Sequence, residues 1–160
     1  MTDPSARGVL RRLAALPAVV AAAAIVVMAA VSLVDIVGRS LFGLAVHGTY
    51  EIIRICLCAS IFFGLVVATM ERAHITVDVI DQLAGETGIR RLKQLARLCF
   101  LVFLAMLIYA GWRQSQDVMA FGDVTDDLRL SKLVFWSPIL TGLCLAAIAA
   151  VADLLHPERN

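Results

Sequence analysis

The sequence predicts an all-α membrane protein of four transmembrane helices, with an amphipathic, membrane-parallel helix between the second and third. Three observations carry that prediction. Of 160 residues, 61% are hydrophobic and 17% charged, which is more apolar surface than a water-soluble domain of this size can hide. The apolar residues gather in four runs, each about 30 Å long as a helix and so able to cross a bilayer. Polar and apolar residues do not alternate within the runs, as they would in the strands of a membrane barrel. A single membrane domain over residues 1–160 is expected.

The first span is expected at about 16–36. Arg7, Arg11 and Arg12 ahead of an apolar run resemble a signal peptide, but the run is long enough to remain as a span and no clear cleavage segment follows it. The second span is expected at about 52–70, with Arg54 one turn inside its start. The third, about 92–112, carries Lys93 and Arg97 in its first turns, and the fourth, about 133–152, contains no charge. Basic residues set the orientation. Nine belong to one side (Arg7, Arg11, Arg12, Arg72, Arg90, Arg91, Lys93, Arg97 and Arg159), against five on the other: Arg39, Arg54, Arg113, Arg129 and Lys132. Both termini are therefore expected in the cytoplasm. A formal net charge of +1 gives no basis for nucleic-acid binding.

The connection at about 71–88 is the amphipathic one. Ile75, Val79, Ile80 and Leu83 recur at helical spacing, with Glu71, Arg72, Asp78, Asp81 and Gln82 between them and Gly85 and Gly88 as stops. A further helix is expected from Ile89, its basic face of Arg90, Arg91, Lys93 and Arg97 suited to anionic membrane lipids. The stretch 113–132 is expected to be a wide outward connection. Its acids Asp117, Asp123, Asp126 and Asp127 have neither the spacing nor the pattern of a calcium loop and read as solvent-facing. Cys56, Cys58, Cys99 and Cys144 all lie in apolar runs and read as small buried hydrophobes. Cys56 and Cys58 are two apart, so on a helix they diverge by about 200°.

The charged residues near the helix ends are read as structural or docking groups. Asp35 and Arg39 are four apart and can pair along one helix. Glu51 and Arg54 are three apart at the start of the second, with Thr49 a candidate cap. His74 and Asp78 are again four apart, with Glu71 close by, and hydrogen bonding between the amphipathic segment and the second span is the expected role. No nucleophile or second histidine accompanies them, so no catalytic, cofactor or metal site is expected. His47, His74 and His156 fall at membrane edges, which does not suit a pair of haem ligands. A carrier acting alone needs polar groups near the midplane, often within inverted repeats. Here Ser32, Ser60 and Thr141 are among the few hydroxyls inside the spans, and no repeat is visible. Gly64, Ala59 and Ala105 offer places for close helix contact. The chain reads as a subunit that works beside a partner; the alternative is a self-contained transporter that works as a homo-oligomer.

Certain motifs also resemble a known family. Asp-x-x-x-Arg at Asp35–Arg39, Gly-Thr-x-Glu-x-x-Arg at Gly48–Arg54, Gly64, and Arg-x-His-Ile-x-Val-Asp at Arg72, His74, Ile75, Val77 and Asp78 are similar to the small membrane subunit, DctQ-like, of tripartite ATP-independent periplasmic (TRAP) transporters. Gly111, Trp112, Gly122, Thr125, Leu128, Trp136, Pro138 and Gly142 match more loosely. Tyr50 stands where the family commonly has another aromatic, and a Pro often found before the fourth span, near Ser131, is absent. The resemblance implies a non-enzymatic subunit of a bacterial inner membrane that scaffolds a large multispan transport subunit. It implies uptake of organic acids driven by sodium, with sodium bound in the large subunit, no cofactor in this chain, and a periplasmic substrate-binding protein as a further partner.

Overall fold

The computed structural model describes residues 4–43, 45–71 and 86–155. Four helices make up nearly all of them: α1 (Pro4–Phe42), α2 (Thr49–Met70), α3 (Glu86–Phe121) and α4 (Leu133–Leu155). Each contains a stretch long and apolar enough to cross a membrane, namely Ala15–Phe42, Thr49–Met70, Gln94–Phe121 and Leu133–Leu154. The chain is a multi-pass membrane protein.

The helices do not close into a bundle. Among the described residues α1 packs on α2, α2 on α4, and α4 on α3, while α1 and α3 do not approach each other. The result is an open row in the order α1, α2, α4, α3. Glycine sets the spacing where backbones come closest. A Cβ built on Gly142 of α4 would lie 2.6 Å from Phe62 Cβ and 2.9 Å from its carbonyl carbon and oxygen, so only the missing side chain lets α2 and α4 meet there. On the other flank of α4, Gly111 of α3 faces Leu140 and Trp136. Val66, Leu104, Leu143 and Ala146 form the buried core, to which α2, α3 and α4 all contribute.

Several expectations change. Helix α3 runs on to Phe121, well past Trp112, so much of the expected wide connection is helical. The cause is periodicity: Leu104, Gly111 and Val118 stand seven apart and all are buried, as is Ser115, and this face keeps its contact after hydropathy has fallen. Gly88 lies inside α3 rather than ending a helix. The close contact expected at Gly64 is made by Gly142 instead, since among the described residues nothing lies within 4 Å of a Cβ built on Gly64. Cys99 and Cys144 are exposed, and Cys56 and Cys58 are only half-buried, because each helix in an open row covers one or two narrow stripes of its neighbours. Met106 and Ile148, at 67% and 66% exposure, face outward for the same reason. The amphipathic segment expected at about 71–88 falls largely on residues 72–85, outside the described residues.

Proline within α4 is accommodated locally. Pro138 has no N–H to give to the Val134 carbonyl one turn earlier, and the Ser137 hydroxyl donates to that carbonyl instead at 3.0 Å. The polar atom freed inside the helix is thus satisfied by the preceding side chain.

Candidate functional site

Of the polar residues expected at the helix ends, Asp35, Arg39, Thr49 and Glu51 meet around two buried carboxylates. Asp35 is 8% exposed and Glu51 7%. Asp35 lies seven residues before the end of α1, close enough for the next stretch of chain to fold back over it. Helix α1 stops at Gly43, which takes φ +65° and donates its N–H to the Arg39 carbonyl at 3.1 Å. The returning chain then donates Val46 N–H to Asp35 Oδ1 at 2.9 Å, and the Thr49 hydroxyl reaches the same oxygen at 3.3 Å and the Val46 carbonyl at 2.9 Å. Arg39 Nε donates to the other oxygen, Oδ2, at 2.8 Å. The expected Asp35–Arg39 pair is present, and the same carboxylate also anchors the α1–α2 turn.

The start of α2 explains the spacing Gly-Thr-x-Glu. Gly48 is the residue before the helix and takes φ +76°, a left-handed conformation that costs other residues about 1–2 kcal/mol. Its bare Cα also admits the Leu128 side chain, whose Cγ would lie 2.5 Å from a Cβ at that position. Thr49 and Glu51 are two apart, so their side chains diverge by about 200° around the helix. Thr49 accordingly turns to α1, and Glu51 to the α3–α4 connection.

Glu51 holds that connection by three hydrogen bonds. Its Oε2 accepts from the Thr125 hydroxyl at 2.8 Å and from Leu128 N–H at 3.1 Å, and its Oε1 from Asp127 N–H at 2.8 Å. The connection is a tight reversal in its own right. Val124 and Ser131 pair as an antiparallel bridge, Thr125 N–H donates to the Leu130 carbonyl at 2.8 Å, and Leu130 N–H donates to the Thr125 hydroxyl oxygen at 3.0 Å. Arg129 takes φ +51° to let the chain turn, a conformation uncommon outside glycine. Lys132 and Asp123 form an ion pair at 3.2 Å across its base.

Three expectations are corrected here. Glu51 does not pair with Arg54: it is taken up by the α3–α4 connection, because two backbone N–H groups and a hydroxyl converge on it while Arg54 points to the exposed side. Thr49 does not cap its own helix, which has Gly48 at its cap and no side-chain hydrogen bond there. Arg97 does not join a free basic face, since its Nε donates to Asp153 Oδ2 at 3.1 Å and ties α3 to α4 at the opposite end of the row. Arg72, His74 and Asp78 lie outside the described residues.

The structure thus brings Asp35, Arg39 and Thr49 together, and Glu51, Thr125 and Leu128 beside them. Thr125 and Leu128 match only loosely in the sequence, and their contact with Glu51 spans more than seventy positions, which no local pattern reports. The one available signal was turn chemistry, Gly122-Asp123 followed by Thr125-Asp126-Asp127. Chemically, these carboxylates accept hydrogen bonds from the chain's own turns. Among the described residues no group of three or more His, Cys, Asp or Glu side chains is placed to hold a metal ion.

The family model described as "Tripartite ATP-independent periplasmic transporters, DctQ component" matches residues 28–160. Over 88 residues the chain is 28% identical to a Haemophilus influenzae protein named "Putative TRAP transporter small permease protein". That stretch covers 55% of this chain and 53% of the relative, so the chain matches about half the length of that protein.

Proposed function

We propose, from the premise that this chain belongs to the DctQ component family of the tripartite ATP-independent periplasmic transporters, that it is the small membrane subunit that scaffolds a large, multispan transport subunit. Supporting this reading is the open row of helices. Between 11% and 22% of each span's apolar window is buried within the chain, and a layer one helix thick leaves two broad faces for lateral contact. A carrier that works alone needs two bodies closing on a site near the midplane, and a single layer supplies one. The hydroxyls along the spans act on their own helices: Ser32 donates to the Met28 carbonyl, Ser60 to Leu57, Thr69 to Leu65 and Thr141 to Ser137.

In this reading the chain lies in a bacterial inner membrane with both termini cytoplasmic, as the distribution of basic residues favours. The end built on Asp35 and Glu51 then faces the periplasm, where a substrate-binding protein arrives. Asp35, Arg39 and Glu51 give the outer ends of the spans a fixed shape, and Arg72, His74 and Asp78 secure an amphipathic inner connection. Sodium and an organic acid bind in the large subunit, so this chain sets neither the ion nor the substrate. Reconstitution tests the reading. Liposomes holding this chain with its large subunit and binding protein should take up substrate on a sodium gradient, and liposomes holding this chain alone should not. Uptake by this chain alone would instead establish the homo-oligomeric transporter.

A further inference from the structure

A cleft of about 240 Å³ opens between α2, α4 and the α3–α4 connection. Four charged side chains line it: Glu51, Arg54, Asp126 and Lys132. Two are already committed, Glu51 to its three donors and Lys132 to Asp123. Arg54 and Asp126 form no ion pair or side-chain hydrogen bond among the described residues. The cleft therefore offers the unbonded donors of Arg54, whose charge also faces Glu51, and one carboxylate without a bonded partner. Apart from Thr125, whose hydroxyl donates to Glu51, its remaining wall is apolar and aromatic, from Cys58, Phe135, Trp136 and Ile139.

The depth of these groups is defined by the helices that carry them. Arg54 lies in the second turn of α2, and Trp136 at the end of the first turn of α4, so both stand where a span meets the headgroup layer. Tryptophan favours that layer, and an arginine there keeps its charge solvated. An occupant must match all three features: an anionic group for Arg54, a hydrogen-bonding cation for Asp126, and an apolar tail for the wall below. We infer that this cleft binds one phospholipid of the phosphatidylethanolamine class, its phosphate on Arg54, its ammonium on Asp126, and an acyl chain along Phe135, Trp136 and Ile139. A guanidinium fork suits phosphate oxygens. A primary ammonium donates hydrogen bonds to a carboxylate, whereas the trimethylammonium of phosphatidylcholine has none to donate, and phosphatidylglycerol has no cation for Asp126.

The inference rests on the membrane-subunit reading only in requiring a bilayer, and its test uses this chain without the large subunit. The full chain is purified in detergent and exchanged against phosphatidylethanolamine, phosphatidylglycerol and phosphatidylcholine at equal mole fractions, and retained lipid is counted by native mass spectrometry. One phosphatidylethanolamine per chain should be retained, preferred over each of the others by roughly tenfold, about the effect of one charge-assisted hydrogen bond. Arg54→Gln and Asp126→Asn should each remove most of that preference, and Arg54→Lys should retain part of it. Equal retention of the three lipids, a preference for phosphatidylglycerol, or variants that behave as the parent would overturn the proposal. Should Arg54→Gln fail to fold, Asp126→Asn in the exposed connection decides. Lipid selectivity is read on this chain without its partners and sodium-driven uptake on the unaltered assembled transporter, so the two readings fail separately.

Discussion

Replacing Gly142 by alanine should drive α2 and α4 apart, and replacing Gly64 by alanine should not. A Cβ at position 142 would lie 2.6 Å from Phe62 Cβ and 2.9 Å from its carbonyl carbon and oxygen, where carbon contacts are comfortable at about 3.5–4.0 Å. The shortfall is roughly 1 Å, and two of the three obstructing atoms are backbone, which cannot rotate aside. The helices must separate locally, opening the adjacent packing of Val66, Leu143 and Ala146. Overpacking of this kind costs about 1–3 kcal/mol. Against it stands the gain of about 0.8–1 kcal/mol from replacing a helical glycine with alanine, which both variants share. At Gly64 nothing lies within 4 Å of the added methyl, so that gain stands by itself. The difference between the two variants therefore isolates the steric cost. Thermal unfolding of the purified chain in one detergent should place Gly142→Ala below Gly64→Ala by roughly 2–12 °C. Midpoints within a degree of each other would refute the close α2–α4 crossing.

Other perturbations bear on the end built around the carboxylates. Glu51→Ala should loosen the α3–α4 connection, and amide exchange at Asp127 and Leu128 should quicken by at least roughly tenfold, with α1 little affected; unchanged exchange would remove Glu51 as its anchor. Gly48→Ala should destabilise by about 1–2 kcal/mol from its left-handed backbone, with a further loss that Leu128→Ala relieves, since that side chain occupies the space; a double-mutant cycle in thermal unfolding measures the relief. The Arg97–Asp153 pair, with side chains 27% and 19% exposed, should show a coupling below about 1 kcal/mol in a similar cycle.

What the sequence made legible follows from the range of the interactions involved. The four spans stand out because each is a local run of apolar residues, and the Asp35–Arg39 pair because four residues is one turn of helix. The ends were harder. Hydropathy drops after Trp112 while the buried face of α3 continues through Ser115 and Val118, and an average over neighbours hides a stripe that recurs every seven residues. Spacing pairs Glu51 with the nearest cation, Arg54, but its partners are Thr125, Asp127 and Leu128 from the far side of two helices. Gly142, a loose match in the sequence, proves to be where two helices touch, whereas a Cβ built on Gly64, one of the firmer matches, meets nothing within 4 Å among the described residues. The open row itself was not legible, because lipid and a partner helix ask for the same apolar surface.

The most direct test of the scaffold account is purification of the tagged chain from its native membrane in mild detergent, with its companions identified by mass. The account predicts a large multispan membrane protein in constant ratio to this chain. Recovery of this chain by itself, or only with further copies of itself, would contradict it.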